Sequence, residues 1–409
     1  MTDRKHCVLA FSGGLDTSFC VMWLCEQGYA VTTVTVDTGG LSVEELARIE
    51  ALSPTLGASA HRTVDSRGVL FDRYLRHLLA GNVLRGNAYP LSVSAERVAQ
   101  AAAVVEVALA VGATALAHGS TGAGNDQVRF DVAFRALAPA LEIVTPIRTL
   151  RLSREQETAY LKERGISFPA KTTQYSVNEG MWGASVGGRE TLGSWDALPE
   201  DKYPGGALDP GLAPRTLVLG FERGVPVSID GVALAPVALI ERLNQLGRPY
   251  GIGRGVHLGD TILGIKGRVG FEAPAAVLLI QCHRELEKLV LSGKQQFWKD
   301  SLGNLYGQLL HEGHFFDPLA RDLEAFLDSS QEVVSGEVRV TLAPRAAVVE
   351  GVRSPFSLMD PKIASYGEAN HLWDGAEAAG FAKLYGVPQV LSRKARQSAA
   401  QSAAAKKVK

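Results

Sequence analysis

Seven consecutive residues near the amino terminus, Ser12-Gly13-Gly14-Leu15-Asp16-Thr17-Ser18, carry the strongest chemical signal in the chain. They follow a short apolar run, Cys7 to Phe11, and open a helical pattern running from Thr17 to Gln27 and closing at Gly28. Two glycines let the backbone approach an anion closely. Successive N–H groups and a helix start then point at one spot, and Ser12, Thr17 and Ser18 add hydroxyl donors. Such a cradle suits a departing pyrophosphate better than a single phosphate. The string lacks the Gly-Lys-Ser/Thr of a Walker loop and the Gly-x-Gly-x-x-Gly of a dinucleotide site. A tight Gly-Gly turn with serine caps would explain the dipeptide alone. The complete string after a strand favours pyrophosphate binding.

A second string, His118-Gly119-Ser120-Thr121-Gly122-Ala123-Gly124-Asn125-Asp126-Gln127-Val128-Arg129-Phe130, joins a glycine-rich loop to Asn, Asp and Arg. Its bland reading is a solvated loop with one Asp126–Arg129 ion pair. Its functional reading is a zwitterion site. Asp126 holds an ammonium, Arg129 grips a carboxylate, and Asn125 serves either. His118, beside the loop, is open to a phosphate contact or a structural role. His311-Glu312-Gly313-His314 lacks the His-Glu-x-x-His spacing and has no cysteine nearby, so a satisfied histidine pair is expected there, not a metal. Lys266 and Arg268 read as a solvated face, and Trp182 as packing.

The elements that position these strings alternate. Strand patterns at Cys7–Phe11, Val31–Val36, His61–Val64, Ala115–Ala117 and Glu142–Thr145 are separated by helical ones. Ser42 with Glu45 and Ser153 with Gln156 form capping boxes, and Ser94 stands as an N-cap before Ala95–Val111. Alternation predicts an α/β domain with a parallel sheet covered on both faces, whose ligands lie beyond the carboxyl ends of its strands. The loops after Phe11, Val36 and Ala117 should converge there. From about residue 170 the pattern changes to short strands (Thr216–Leu219, Pro226–Ile229, Thr261–Ile265, Glu337–Leu342) and helices (Pro236–Leu246, Ala275–Leu291, Leu319–Ser329), a second, α+β domain. Glu377–Tyr385 reads as an amphipathic helix that packs on a neighbour, and the Ala/Ser/Lys-rich tail after Leu391 as frayed helix or disorder.

Composition bounds the function. The 409 residues suffice for two domains with their own cores. A net charge of −1 leaves no broad basic field for a nucleic-acid backbone. No apolar run is long enough to span a bilayer, and the Met1–Phe11 segment is too short for a signal peptide. Cys7, Cys20, Cys25 and Cys282 include no Cys-x-x-Cys pair, which predicts free thiols in a reducing, cytoplasmic compartment.

The first string matches the signature of the PP-loop ATP pyrophosphatases. With the second string added, the chain resembles the argininosuccinate synthase family. The likeness continues through Tyr89, Ser94 and Arg97, Tyr175-Ser176 with Ser185, Gly251-Ile252-Gly253-Arg254-Gly255, Gly264-Ile265-Lys266-Gly267-Arg268, Ser329-Ser330-Gln331 and Arg353-Ser354-Pro355. It implies a PP-loop (adenine nucleotide alpha hydrolase-like) domain over 1–168, a synthetase domain over 169–375 and a C-terminal oligomerisation helix and tail over 376–409. It implies that ATP, with Mg2+, drives ligation of citrulline to aspartate through a citrullyl-AMP intermediate. By the same likeness Ala10, Phe11, Ser12, Gly13, Gly14, Leu15, Asp16, Thr17 and Ser18 hold the ATP phosphates, with Val36 and Gly119 near the adenosine. Thr121, Asn125 and Asp126 hold aspartate. Tyr89, Ser94, Asn125, Arg129, Ser176 and Ser185 hold citrulline. Asp16, Asp126 and Arg129 stand nearest the chemistry, no metal ligand set is assigned, and homotetramers are implied, with C-terminal helices reaching across subunits.

The chain departs from the family pattern at Gly259, Phe271 and Ala123 and along Val186-Gly187-Gly188-Arg189-Glu190, which drifts from the usual acidic pattern. A Glu and a Tyr of the citrulline pocket fall at Gly259 and Phe271, and a Lys of the middle string falls at Ala123. The first two motivate a rival reading, a PP-loop ligase joining aspartate to another ureido or carboxamide compound. A tRNA-modifying sulfur transferase would need a cysteine pair and a basic patch. A non-catalytic nucleotide sensor would have no use for the aspartate-type loop.

Overall fold

The computed structural model describes residues 5–168, 175–363 and 372–407. The expected boundary at Pro169 lies outside the described residues. Five parallel strands, β1 (His6–Ala10), β2 (Ala30–Asp37), β3 (Ala60–Asp65), β4 (Ala115–Ala117) and β5 (Glu142–Val144), pair in the order β3-β2-β1-β4-β5. Every neighbouring pair is parallel. Cys7, Val8 and Leu9 are fully buried, as a strand covered on both faces requires. The order reverses between β1 and β4, so the crevice opens where the two glycine strings leave the sheet.

The second sheet region is antiparallel. β6 (Tyr175–Gly180), β7 (Gly183–Gly188), β11 (Arg254–Asp260) and β12 (Lys266–Glu272) form a four-stranded sheet in the order β11-β12-β7-β6. β8 (Arg215–Glu222), β9 (Val225–Ile229), β10 (Val232–Ala233), β13 (Gly336–Ala343) and β14 (Ala346–Arg353) form a five-stranded one. Residues 261–265, expected as a strand, are the turn between β11 and β12. The register pairs Gly259 with Gly267 and Asp260 with Lys266, and Thr261 N bonds Ile265 O. Its β-branched residues are what misread it.

Local chemistry explains most helices. Ser153 and Gln156 make the full capping box ahead of Arg154–Glu163. Ser42 caps Val43–Thr55 through Glu45 N, but the Glu45 carboxylate bonds Arg48 instead of closing the box. Ser94 is a correction: it is the first helical residue, not the cap, and its hydroxyl meets His311. The second string also differs from expectation, because a helix, Asp126–Leu137, begins at Asp126 itself. Two stretches without clear sequence signals, residues 67–80 and Gly293–Glu312, are helical. The Leu70–Ala99 side chains pack into the same core as residues from Met181 onward. Residues Met1–Phe356 form one compact unit. A second unit, Ser357–Lys409, contains two helices, Gly375–Tyr385 and Val387–Lys407; the tail is thus helical through Lys407.

Glu96, in the first turn of Ser94–Ala110, is 1% exposed. It lies against Gly180, where a Cβ would fall 1.9 Å from its Oε1. Burial pushes its carboxyl up from 4.5 to about 8, against the pull of Arg97. Between those values the folded chain holds a proton that the unfolded chain has released, so this group makes stability fall as pH rises through the window. The slope it contributes is at most about 1.4 kcal/mol per pH unit. Urea unfolding at pH 5 and pH 8 should show a smaller loss for Glu96→Gln than for the parent chain. An equal loss would rule out a protonated Glu96.

Candidate active site

The anion cradle is built by what the first helix lacks. Leu15–Glu26 starts after Gly14, which supplies no side-chain cap, so the first-turn N–H groups stay open. Gly13 turns the loop with φ +66, and a Cβ there would lie 2.8 Å from Ile49 Cγ1. The Ser12 and Thr17 hydroxyls lie 3.2 Å apart at the mouth. A cavity of about 940 Å3 runs from this loop to the four-stranded sheet, within the range of small-molecule sites.

Of the predicted nucleotide residues, Ala10, Phe11, Ser12, Gly14, Leu15, Asp16, Thr17, Val36 and Gly119 line the cavity. Gly13 and Ser18 are not among its lining residues. Ser18 is fully buried, its hydroxyl without a partner among the described residues. Asp16 neighbours Glu157, whose carboxyl is pushed up to about 8 by burial and then by the Asp16 charge. The β4 loop comes close to the cradle: a Cβ at Gly119 would sit 3.1 Å from Thr17 Cγ2. His118 pins that loop. Its Nδ1 accepts from Ser120 N at 3.2 Å, so Nε2 donates to Asp131 at 2.9 Å. The structural reading of His118 holds, with both nitrogens engaged.

Thr121, Asn125, Asp126, Arg129, Tyr89, Ser94, Ser176 and Ser185 line the same cavity. Asp126 is the hub. Arg97 Nε donates to one carboxylate oxygen at 2.9 Å and Arg129 Nη1 to the other at 2.8 Å. Burial works to raise this carboxyl, yet Arg97 and Arg129 hold it below its usual range. Its side chain keeps 36% exposure toward the cavity, so lone pairs remain for a bound cation. Arg97, underrated in the sequence, is itself held by Gln100 and Asn178. Asn125 Oδ1 accepts from Ile262 N, tying the β11–β12 turn to this loop. The register places Ser185 opposite Phe271, which is 3% exposed and offers no hydroxyl.

Trp182 is fully buried, donating to Pro90 O. Lys266 pairs with Asp260, and Arg268 donates to three backbone carbonyls. Among the described residues no three potential ligands gather into a metal site, and no helix is long and apolar enough to cross a membrane.

A parallel sheet with an uncapped glycine loop at its switch point, facing a paired Asp and Arg, defines an α/β protein of the class that binds anionic ligands at the carboxyl ends of its strands. Two family models match: the arginosuccinate synthase N-terminal HUP domain over residues 6–167 and the C-terminal domain over 175–392. The chain is 40% identical to the argininosuccinate synthase of Methanocaldococcus jannaschii, covering 95% of this chain and 98% of that protein. It is 42% identical to that of Xanthomonas campestris and 38% to that of Dictyoglomus turgidum, with the same coverages. The chain belongs to the argininosuccinate synthase family.

Proposed function

We propose that this chain uses ATP to join citrulline to aspartate, forming argininosuccinate with release of AMP and pyrophosphate. The observation that carries the reading is the single cavity joining the Ser12–Thr17 loop to Asp126, Arg129, Ser176 and Ser185. The ureido oxygen attacks the α-phosphorus, and pyrophosphate departs into the open first turn of Leu15–Glu26. The aspartate amine, held by Asp126 with Thr121 and Asn125, then attacks the activated carbon and expels AMP. No protein nucleophile is needed; positioning and fixed donors lower the barrier. Arg129 and Ser94 orient the ureido substrate.

Magnesium, which we propose as a partner of ATP, would neutralise leaving-group charge. Asp16 is the cavity carboxylate nearest the glycine loop and is in no ion pair among the described residues, so it is the candidate to touch the ion. We place the working division at 1–168, 169–375 and 376–409, which the extents of the two family models support at the first boundary. A cytoplasmic homotetramer is proposed on the buried thiols of Cys7, Cys20 and Cys282 and on exposed Phe381, Leu384 and Tyr385.

Sustained pyrophosphate release should require ATP, citrulline and aspartate together; omitting ATP or citrulline should leave background, and omitting aspartate should leave at most one turnover per site. Release with another ureido or carboxamide compound, and none with citrulline, would favour the second reading. That alternative draws on Gly259, which lines the cavity without a side chain.

A further inference from the structure

Besides His118, which pins its own loop, two histidines line the cavity without a part in the steps above: His257 on β11 and His311 in the last turn of Gly293–Glu312. Arg129 fixes the tautomer of His311. A guanidinium can only donate, so its 3.1 Å contact from Nη2 makes His311 Nδ1 an acceptor. The Ser94 hydroxyl lies 3.2 Å from the same nitrogen. Burial, then the charges of Arg129 and Arg85, push the ring down to about 2, so it is neutral near pH 7. A neutral ring with Nδ1 accepting carries its hydrogen on Nε2. That Nε2 is buried and has no partner among the described residues, in a side chain only 6% exposed. A donor in this position needs an acceptor oxygen.

His257 stands in a related state. Its Nε2 is also buried without a partner among the described residues. Its ring stacks on Tyr89 at 5.6 Å. Cβ atoms at Gly86 and Gly259 would fall 3.0 and 2.6 Å from it, so the two glycines make room for the imidazole. Among the described residues each carboxylate near this wall already has a basic partner, and the lone pairs left on Asp126 are those proposed for the aspartate amine. Asp126 is held by Arg97 and Arg129, Asp260 by Lys266, and Glu179 by Arg248.

We propose that His311 Nε2 donates to a carboxylate oxygen of the ureido substrate, with His257 beside it, and that this wall selects substrates by that carboxylate and not by an ammonium group. The inference rests on reading the cavity as a ureido-ligase site and adds the determinant of selection. Three probes separate its parts. Citrulline carries both groups, 5-ureidopentanoate keeps the carboxylate and lacks the amine, and 4-ureidobutylamine keeps the amine and lacks the carboxylate.

In pyrophosphate release with ATP and aspartate, the first two should agree in kcat/KM within about tenfold, and the third should fall by at least about 100-fold, because it strands buried donors. His311→Asn keeps an oxygen for Arg129 and loses the Nε2 donor. It should raise KM for both carboxylates about 10- to 100-fold and leave the amine probe unchanged. His311→Gln, whose amide nitrogen reaches further, should recover part of the loss. Equal use of the two single-group probes, or the same loss for all three in His311→Asn, overturns the proposal. Release with none of the probes overturns the ligase reading itself. Calorimetric titration of 5-ureidopentanoate then still decides: weaker binding to His311→Asn supports the contact, and equal binding overturns it.

Discussion

Asp126→Ala should lower kcat/KM for aspartate by about 100- to 10,000-fold while nucleotide affinity stays within about threefold. The asymmetry follows from the geometry. Removing the carboxylate deletes the proposed ammonium partner and leaves Arg97 and Arg129 facing each other across the cavity. The quoted range is about 2.7–5.4 kcal/mol at about 1.4 kcal/mol per tenfold, the size of the loss when one partner of a desolvated protein–ligand charge pair is truncated, about 2–5 kcal/mol or more. The glycine loop, proposed to carry the nucleotide, is untouched. Asp126→Asn should be nearly as poor, since it keeps shape and loses charge. Steady-state kinetics with aspartate varied, beside nucleotide titration, checks both arms. Unchanged turnover in either variant would remove Asp126 from the mechanism.

The second large effect lies in the core. Glu287 is 2% exposed and accepts from Asn82 Nδ2 at 2.6 Å, Gln331 Nε2 at 2.9 Å and Lys299 Nζ at 2.9 Å. Lys299, fully buried, also donates to Ala80 O at 2.7 Å. The cluster ties the Gly293–Glu312 helix, which carries His311, to the residues preceding Tyr89. Glu287→Leu strands the ammonium and should cost about 3–5 kcal/mol in urea unfolding. Glu287→Leu with Lys299→Met removes both charges and should recover at least half of that loss. A double variant less stable than Glu287→Leu would mean the two residues do not act as a pair.

The parallel sheet and its cradle were legible because their signals are local. A buried apolar run, a glycine pair and a helix start occupy consecutive residues around Ser12–Ser18, and the structure has them so. The aspartate-type string was legible in composition, but the start of its helix at Asp126 was not, because Asn125 has helical backbone and no side-chain cap. Ser94 misled for a related reason: a serine before an apolar run reads as a cap, while tertiary contact sends its hydroxyl to a histidine 217 residues away. His257 carried no sequence signal for the site, and His311, expected to belong to a satisfied histidine pair, is instead a cavity residue whose Nε2 has no partner among the described residues. Their positions depend on β11–β12 pairing and on a long helix whose glycines hid its pattern. Arg97 was visible only through family likeness, since what gives it meaning is Asp126 across the crevice.

Gly14 shows a conflict between the helix and the crevice. At the residue preceding Leu15–Glu26, an Asp or Ser would satisfy a free amide and stabilise the helix by roughly a few tenths of a kcal/mol over glycine. Either would place an oxygen where the cradle is proposed to receive another molecule's oxygen, and Asp would add a repelling charge. The best residue for that turn in isolation is therefore a competitive inhibitor tethered to the backbone. Stabilisation schemes that repair weak helix starts would, at this one position, yield a sturdier and inert protein.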